Sequence, residues 1–240
     1  MRHIGFSTGA LAKGDVYDGV ALQTSVADIS AIELSALRES ELRRLVTVHR
    51  DLDLTHFQYI SVHAPSRFSE LPEPEAVELL LELPAEWPII VHPDSIQDFP
   101  LWRALGDRLC LENMDIRKRT GRTAEELASI FQQLPDARFC LDLGHAHQVD
   151  STMSVAADLL RRFGDRLRQL HVSDVGTFGQ HRPIGYLLEQ AYQRVKSLIA
   201  TDVPAILESI VAPGQIGNEL AVAKRMLAPS EPAFGMPQSG

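Results

Sequence analysis

Short apolar runs alternate with longer amphipathic stretches along almost the whole chain. The apolar runs predict eight β-strands, at residues 3–7, 29–35, 59–63, 88–92, 109–113, 138–142, 167–172 and 204–209. Between them, leucine, isoleucine and valine recur every three or four residues, which is the helical period. The clearest of these stretches predict helices at 39–48, 74–83, 124–134, 154–163, 186–199 and 216–227. Residues 13–27 show no clear period.

Eight strand-then-helix units in 240 residues predict one closed parallel (β/α)8 barrel of the TIM type. We expect this barrel to occupy residues 1–228, followed by a loose tail at 229–240 that is rich in Pro, Gly and Ser. A doubly wound open sheet is the alternative. It explains less, because such a sheet gathers ligands at one switch point rather than from many strands.

Acidic and histidine side chains stand where many of the predicted strands end. The last four strands end at Glu112, Asp142, His171 and Glu208. The carboxyl ends of barrel strands meet at one mouth, and carboxylates and neutral imidazoles bind divalent metals. A single polar residue at a strand end is commonplace, but four at consecutive strands favour a shared metal centre. This oxygen-rich set suits Mn²⁺, Mg²⁺ or Co²⁺, with Zn²⁺ as an alternative.

Four more histidines follow strand ends and extend the candidate site. His63 and His92 end the third and fourth strands, and we expect a second metal position there that shares Glu112. His145 and His181 are expected at another edge of the site. Imidazoles in these positions are equally suited to binding a sugar hydroxyl or to moving a proton near neutral pH.

Strand parity also predicts the surroundings of the two cysteines. Residues two apart in a strand share a face, so Cys110 points with Glu112 and Cys140 with Asp142. We expect both thiols to be buried and reduced, inside the barrel below the metal.

A basic loop follows the fifth strand and reads DIRKRTGR. Its Arg117, together with Arg182 after the seventh strand, is a candidate substrate contact, because guanidinium groups bind phosphate and carboxylate well. A solvated charged loop is the alternative.

Overall composition narrows the function classes. The net charge of −9 argues against a broad basic surface, so a nucleic-acid partner is not expected. Only two cysteines occur, and no signal segment or apolar run of about 18 to 20 residues is present, so we expect a cytoplasmic protein without a membrane partner. Nucleophile-elbow, P-loop and dinucleotide motifs are absent. The exposed helices of a barrel are compatible with a homodimer.

Six short motifs occur in an order that resembles the xylose-isomerase-like barrel superfamily. They are VHAP, VHP, LENM, DLGH, HVSD and HRPIG. This superfamily includes sugar-phosphate isomerases and epimerases as well as the endonuclease IV family. The likeness runs from IGFSTGAL at the first strand to ILESI at the eighth.

The resemblance implies that Glu112, Asp142, His171 and Glu208 bind the divalent metal of the isomerase and epimerase members. In those enzymes the metal holds a carbonyl and an adjacent hydroxyl of the sugar, and it stabilises the enediolate formed when a proton leaves the neighbouring carbon. By the same likeness, Glu112 and Glu208 flank the substrate as acid and base. We therefore expect a metal-dependent isomerase or epimerase whose partner is a small sugar or sugar phosphate.

The endonuclease IV family is a rival, because its three-zinc ligand set can be followed in this chain. The matching residues are His63, His92, Glu112, Asp142, His145, His171, His181 and Glu208. The acidic residue expected two positions before His181 is Gly179, which deprives the third zinc of a carboxylate. DNA binding also needs phosphate contacts along a groove, and an acidic chain offers few.

Two departures affect the isomerase interpretation as well. The chain is short for the superfamily, and Tyr186 follows HRPIG in place of the usual glycine and acidic residue. Short catalytic loops are compatible with an open site, with a site that a partner subunit completes, or with a loss of activity. A non-catalytic barrel that binds a metal or a sugar is the third hypothesis.

Overall fold

The computed structural model describes residues 2–229. The predicted loose tail therefore lies, apart from Pro229, outside the described residues. Within that part of the chain, no helix combines the length and the apolar character that crossing a bilayer requires.

Eight parallel strands close into a barrel, which confirms the predicted fold. The barrel strands are β1 (Ile4–Ser7), β2 (Ala31–Ser35), β3 (Tyr59–His63), β4 (Ile89–Val91), β5 (Leu109–Glu112), β6 (Arg138–Asp142), β7 (Leu167–Val172) and β10 (Ala205–Leu207). Neighbours in the sequence are neighbours in the sheet, and pairing of β1 with β10 closes the ring. A short antiparallel hairpin, β8 (Asp174–Val175) and β9 (His181–Arg182), follows β7 at the mouth of the barrel.

Helices cover the outside of the barrel. They are α1 (Thr8–Ala12), α2 (Val16–Thr24), α3 (Glu39–Val48), α4 (Glu73–Leu81), α5 (Phe99–Trp102), α6 (Ala124–Gln133), α7 (Leu143–Val149), α8 (Ser154–Phe163), α9 (Tyr186–Tyr192) and α10 (Ile216–Leu227). The predicted helix at 186–199 is shorter in the structure, since α9 ends at Tyr192 and a 3₁₀ turn follows at Lys196–Leu198.

The stretch at 13–27, which lacks a clear period, contains α2. This helix begins after Asp15, whose carboxylate accepts hydrogen bonds from the backbone amides of Tyr17 and Asp18. A side-chain cap of this kind stabilises a helix start independently of any apolar pattern.

The barrel interior is packed beneath the mouth. Cys110, Cys140 and Ile90 form a small fully buried cluster that is separate from the main core, and both cysteines are free thiols. Their position agrees with strand parity, because each lies one inward-facing layer below Glu112 or Asp142. Beneath the mouth, the barrel interior therefore combines this small cluster with the buried polar side chains of Glu33, Ser61 and Gln169.

Candidate metal centre

Four side chains from the last four barrel strands meet at the mouth. They are Glu112 at the end of β5, Asp142 at the end of β6, His171 on β7 and Glu208 directly after β10. One ligand atom from each lies within 4.8 Å of a ligand atom from every other. Glu112, Asp142 and His171 are fully buried, and the Glu208 side chain is 12% exposed. The structure thus brings together the set that the sequence suggested as metal ligands.

Each of these four side chains also has one buried polar atom without a hydrogen-bond partner among the described residues. The atoms are Glu112 Oε1, Asp142 Oδ2, His171 Nδ1 and Glu208 Oε2. Buried polar atoms are almost always hydrogen-bonded, and leaving one unpaired costs free energy. Carboxylate oxygens and imidazole nitrogens with free lone pairs are the donors that a divalent cation needs. The residues present therefore fit a metal ion.

Two further histidines add an overlapping group to the same pocket. His63 Nε2 lies 3.2 Å from Glu112 Oε2, and His92 Nε2 lies 3.5 Å from the same oxygen. The Nδ1 of His63 lies 2.7 Å from the carbonyl oxygen of Ala64. In a neutral ring that nitrogen carries the proton, which leaves Nε2 of His63 with the lone pair. Glu112 is therefore placed between two groups of potential ligands.

His145 and His181 line another side of the pocket. His145, in α7, places Nδ1 3.1 Å from Glu112 Oε1 and 3.0 Å from the carbonyl oxygen of Asn113. His181, on β9, places Nδ1 3.5 Å from Glu208 Oε2. All four additional histidines therefore approach one of the two glutamates.

The pKa values of the buried Asp142 and His145 are both raised. Burial, together with the charges of Glu112 and Glu208, raises the pKa of the Asp142 carboxyl to about 8. Burial disfavours the imidazolium of His145, but Asp142 and Glu112 outweigh it and raise the pKa of His145 to about 10. A cation that binds here must displace protons at neutral pH.

The two glutamates and two of the histidines have lowered pKa values. Burial opposes the charge of Glu208, but His171 and His181 outweigh it and lower its pKa to about 2. Burial also opposes the charge of Glu112, yet its pKa lies well below the usual value because of the imidazoles around it, His171 foremost. Burial lowers the pKa of His92 and of His181. At neutral pH the pocket therefore contains ionised glutamates beside two neutral imidazoles, His92 and His181. Burial disfavours the charged form of the other three imidazoles, but the carboxylates around them outweigh it and raise the pKa values of His63, His145 and His171.

An open cavity gives a small molecule access to these groups. It has a volume of about 320 Å³, and its lining includes both glutamates together with Ser66 and Lys118. A wider groove of about 720 Å³ continues from it across the loops after β2, β3 and β4. Ser66 and Lys118 line both spaces.

Comparison with protein families matches residues 97–224, more than half of the chain, to the xylose isomerase-like TIM barrel. The chain belongs to this family. The matched stretch includes all four candidate ligands and begins after β4. A search of curated proteins found no match.

Solved structures share the barrel of this family across most of their length. The IolI protein, crystallised with a zinc atom, has a TM-score of 0.64 at 13% identity, over 94% of this chain and 98% of that chain. A candidate sugar phosphate isomerase/epimerase from Anabaena variabilis has a TM-score of 0.56 at 13% identity, over 100% and 91%. SacUVDE has a TM-score of 0.57 at 13% identity, over 94% and 99%. At these identities the likeness shows a common fold.

Arg117 connects the loop after β5 to the β8–β9 hairpin of this family member. Its Nε and Nη2 donate to the Asp115 carboxylate at 2.9 and 2.8 Å, and its Nη1 donates to the carbonyl of Phe178 at 2.7 Å. A Cβ at Gly179 would lie 1.9 Å from Arg117 Nη2. The absence of an acidic side chain two positions before His181 is therefore matched by a guanidinium that fills its space.

The two arginines suggested as substrate contacts differ in position. Arg117 lines the cavity above the glutamates. Arg182 is exposed on β9, and its guanidinium lies over Gly176 of the hairpin, where a Cβ would be 2.5 Å from Nη2. Arg182 is not among the residues that line the cavity.

Sequence reasoning overlooked two buried polar residues at the site. Asn113 donates to the backbone carbonyl of Asp142 at 3.0 Å and accepts from its amide at 2.8 Å, which joins β5 to β6. Glu33 on β2 lies 3.0 Å from His171. In the sequence, both residues could have been found as polar residues inside or beside an apolar strand: Glu33 in IELS and Asn113 in CLEN.

Proposed function

We propose that this protein is a divalent-metal-dependent isomerase or epimerase of a sugar or sugar phosphate. The observation that carries the proposal is the set of four unpaired buried atoms on Glu112, Asp142, His171 and Glu208. These residues would hold the cation. When bound, it would polarise a substrate carbonyl and stabilise the negative charge that develops as a neighbouring proton is removed.

The chain itself supplies the groups that move the proton. Glu208 is ionised at neutral pH and partly exposed to the cavity, so it can accept a proton from a substrate carbon. Glu112 is held ionised and rigid by the imidazoles around it. Glu208 would take the proton from the substrate carbon and release it to solvent through the cavity. Return of a proton through Glu112 would require that carboxylate to be protonated first, and His145, whose Nδ1 lies 3.1 Å from Glu112 Oε1 and whose pKa is raised to about 10, would supply that proton.

The cavity suits a small polyol. His92 and His181 border it with lowered pKa values, and neutral imidazoles both donate and accept hydrogen bonds to hydroxyl groups. A phosphate on the substrate would extend into the wider groove, where Arg67 supplies positive charge and Lys118, which lies 2.7 Å from the Asp94 carboxylate, would exchange that partner for the phosphate. That the substrate is a sugar, and that it carries a phosphate, are both parts of this proposal.

Exchange of the two glutamates for glutamine tests the acid and base roles. We expect Glu112→Gln and Glu208→Gln each to lower turnover by about 10²- to 10⁴-fold, because an amide does not exchange protons at neutral pH. The measurement is incorporation of solvent deuterium beside the carbonyl of candidate sugars, followed by proton NMR. Metal content is determined in parallel, since both residues are also candidate ligands.

The matched control is Glu73→Gln. This carboxylate accepts from the Trp102 indole at 3.2 Å and from two backbone amides, and it does not border the pocket. Its loss should leave turnover unchanged. Full deuterium exchange in both site variants would exclude the proposed roles of Glu112 and Glu208.

A zinc phosphodiester hydrolase is the second candidate function. The group formed by His63, His92 and Glu112 favours it, because two imidazoles and a shared carboxylate suit a second zinc. Elemental analysis separates the candidates: about one Mn or Mg per chain supports the isomerase, and two or three Zn with nicking of abasic-site DNA support the hydrolase. A chain that takes up no metal under any loading condition would contradict both and favour a binding role.

A further inference from the structure

A fourth buried carboxylate lies just below the candidate ligands, and it has no role in the proposed reaction. Glu33 is fully buried on β2, in register with Ser61 of β3. Burying a carboxylate is costly unless its oxygens receive hydrogen bonds. The reason for this residue must therefore be sought in its contacts.

Three donors converge on one oxygen of Glu33, whereas the other oxygen, Oε1, has no hydrogen-bond partner among the described residues. Oε2 lies 3.0 Å from His171 Nε2, 2.7 Å from Gln169 Nε2 and 3.2 Å from Ser61 Oγ. The Glu33 carboxylate only accepts, so it sets the orientation of the Gln169 amide, and the Tyr59 hydroxyl donates to Gln169 Oε1 at 2.9 Å. Gln169 therefore presents its NH₂ group, a donor, to Glu33.

The two nitrogens of His171 face different partners. Nδ1 lies 3.5 Å from Glu112 Oε2 and 3.6 Å from Glu208 Oε2, and it has no hydrogen-bond partner among the described residues. Nε2 points the other way, towards Glu33 and Gln169. An imidazole offers a lone pair from Nδ1 only when its single proton is on Nε2. Nε2 lies 2.8 Å from Gln169 Nε2, which carries only donor hydrogens, and 3.0 Å from Glu33 Oε2, which only accepts. The two neighbours therefore favour opposite tautomers, and Glu33 is the one that favours the Nε2–H form and frees Nδ1.

We propose that Glu33 is a positioning residue, which holds the Nε2–H tautomer of His171 and aims Nδ1 at the cation. This inference rests on the proposed metal centre and adds the residue that prepares one of its ligands. A carboxylate behind a metal-bound histidine both orients the ring and makes it a better donor.

His63 provides an internal comparison. Its proton is directed by a backbone carbonyl, that of Ala64 at 2.7 Å, and no substitution removes that acceptor. His171 depends instead on a side chain, so the effect of the acceptor can be measured by mutation.

The first experiment measures zinc affinity of the full-length protein by competition with a chromogenic chelator. Glu33→Leu removes the acceptor, and we expect zinc binding to weaken by about 10- to 100-fold. Glu33→Gln keeps an acceptor oxygen but loses the charge, so its affinity should fall between those of the wild type and Glu33→Leu. Glu73→Gln, the same change at a carboxylate that contacts no imidazole of the site, should bind zinc like the wild type.

The second measurement is the tautomer of His171, read from long-range proton–nitrogen NMR of ¹⁵N-histidine-labelled, zinc-loaded protein. We expect a single Nε2–H form in the wild type and its loss in Glu33→Leu. A purely structural role would lower the melting temperature without changing either the tautomer or the affinity. If Glu33→Leu does not fold, Glu33→Gln, which preserves the side-chain volume, decides.

The outcomes separate this inference from the proposed function. Tight zinc binding by the wild type with unchanged affinity and tautomer in folded Glu33 variants would overturn the role of Glu33 alone. A wild-type chain that binds no cation would overturn the metal centre and the inference with it. Weakened zinc binding in a wild type that lacks isomerase activity would support Glu33 and contradict the enzyme.

Discussion

Asp142 and His145 make the metal-free protein sensitive to pH at the level of single residues. Their pKa values of about 8 and about 10 exceed those of an unfolded chain, so the folded protein holds protons that the unfolded chain has released. The stability that they contribute is complete below the unfolded pKa values and is lost as the pH rises through the folded ones.

We therefore expect the chelator-treated protein to melt at lower temperature at pH 8.5 than at pH 6.5. Each extra proton held by the folded state contributes at most about 1.4 kcal/mol per pH unit. Calorimetry at several pH values measures the slope, and His145→Gln should flatten it. An equal slope in the variant and the wild type would show that His145 does not retain its proton.

Single residues also show where sequence reasoning reaches its limit. Acidic residues that end strands, such as Glu112 and Asp142, stand out because a buried charge interrupts an apolar run. Glu33 interrupts a run in the same way, but its neighbours Ala31 to Ser35 contain no motif that draws attention to it. Its significance depends on His171, which is 138 residues away in the sequence and 3.0 Å away in space.

At the scale of elements, β1 and β2 approach each other closely at one glycine. A Cβ at Gly5 would lie 1.6 Å from the carbonyl oxygen of Ala31, its register partner on β2. The barrel can close with this spacing only if position 5 has no side chain.

Gly5→Ala should therefore destabilise the protein by on the order of 3 kcal/mol, because one strand must move. Urea unfolding measures the change. The control is Gly217→Ala in the first turn of α10, where a Cβ meets nothing within 4 Å; we expect it to stabilise by about 0.5 to 1 kcal/mol. Equal stability of the two variants would contradict the close approach.

The loop after β5 and the β8–β9 hairpin form a second coupled pair of elements. We expect Arg117→Met to increase amide hydrogen exchange at residues 176–180, because the hairpin loses the donor to Phe178. Global stability should also fall, by on the order of 1 to 3 kcal/mol, because the Asp115 carboxylate is 3% exposed and loses two hydrogen bonds.

Arg119→Met is the matched control for this change. Arg119 belongs to the same loop and is exposed, and it makes no hydrogen bond or ion pair with the described part of the chain. Similar exchange in both variants would show that Arg117 does not hold the hairpin. Such contacts between loops were beyond sequence reasoning, because DIRKRTGR does not specify which segment it meets.

Elements of the barrel itself were more predictable. Strands buried on both faces are continuous apolar runs, and all eight predicted strands are present. Position 92 and position 208, predicted within strands, lie one residue beyond their ends. The apolar pattern did not predict helix α2, because the start of this helix depends on the Asp15 cap and on Gly14, which has a φ of +88°.

For the whole molecule, a bound cation should couple the last four strands to one another. At a concentration about 100 times its Kd, a ligand of the folded state adds about 2.7 kcal/mol. For a domain of this size, that corresponds to a rise in Tm of roughly 5 to 10 °C. We expect Mn²⁺ or Zn²⁺ to produce this rise and Asp142→Asn to abolish most of it, as measured by calorimetry. A Tm that no divalent cation alters would contradict the metal centre.

The distribution of the ligands along the chain also bears on how the protein is made. Glu112, Asp142, His171 and Glu208 come from separate strands, and β10, which precedes Glu208, is the strand that closes the ring against β1. While the ribosome is still translating residues before 208, the nascent chain has at most three of the four donors. At the proposed metal centre, loading of the ion would thus be a late event of biogenesis, and a product that terminates before this point would have neither a closed barrel nor the full set of candidate ligands.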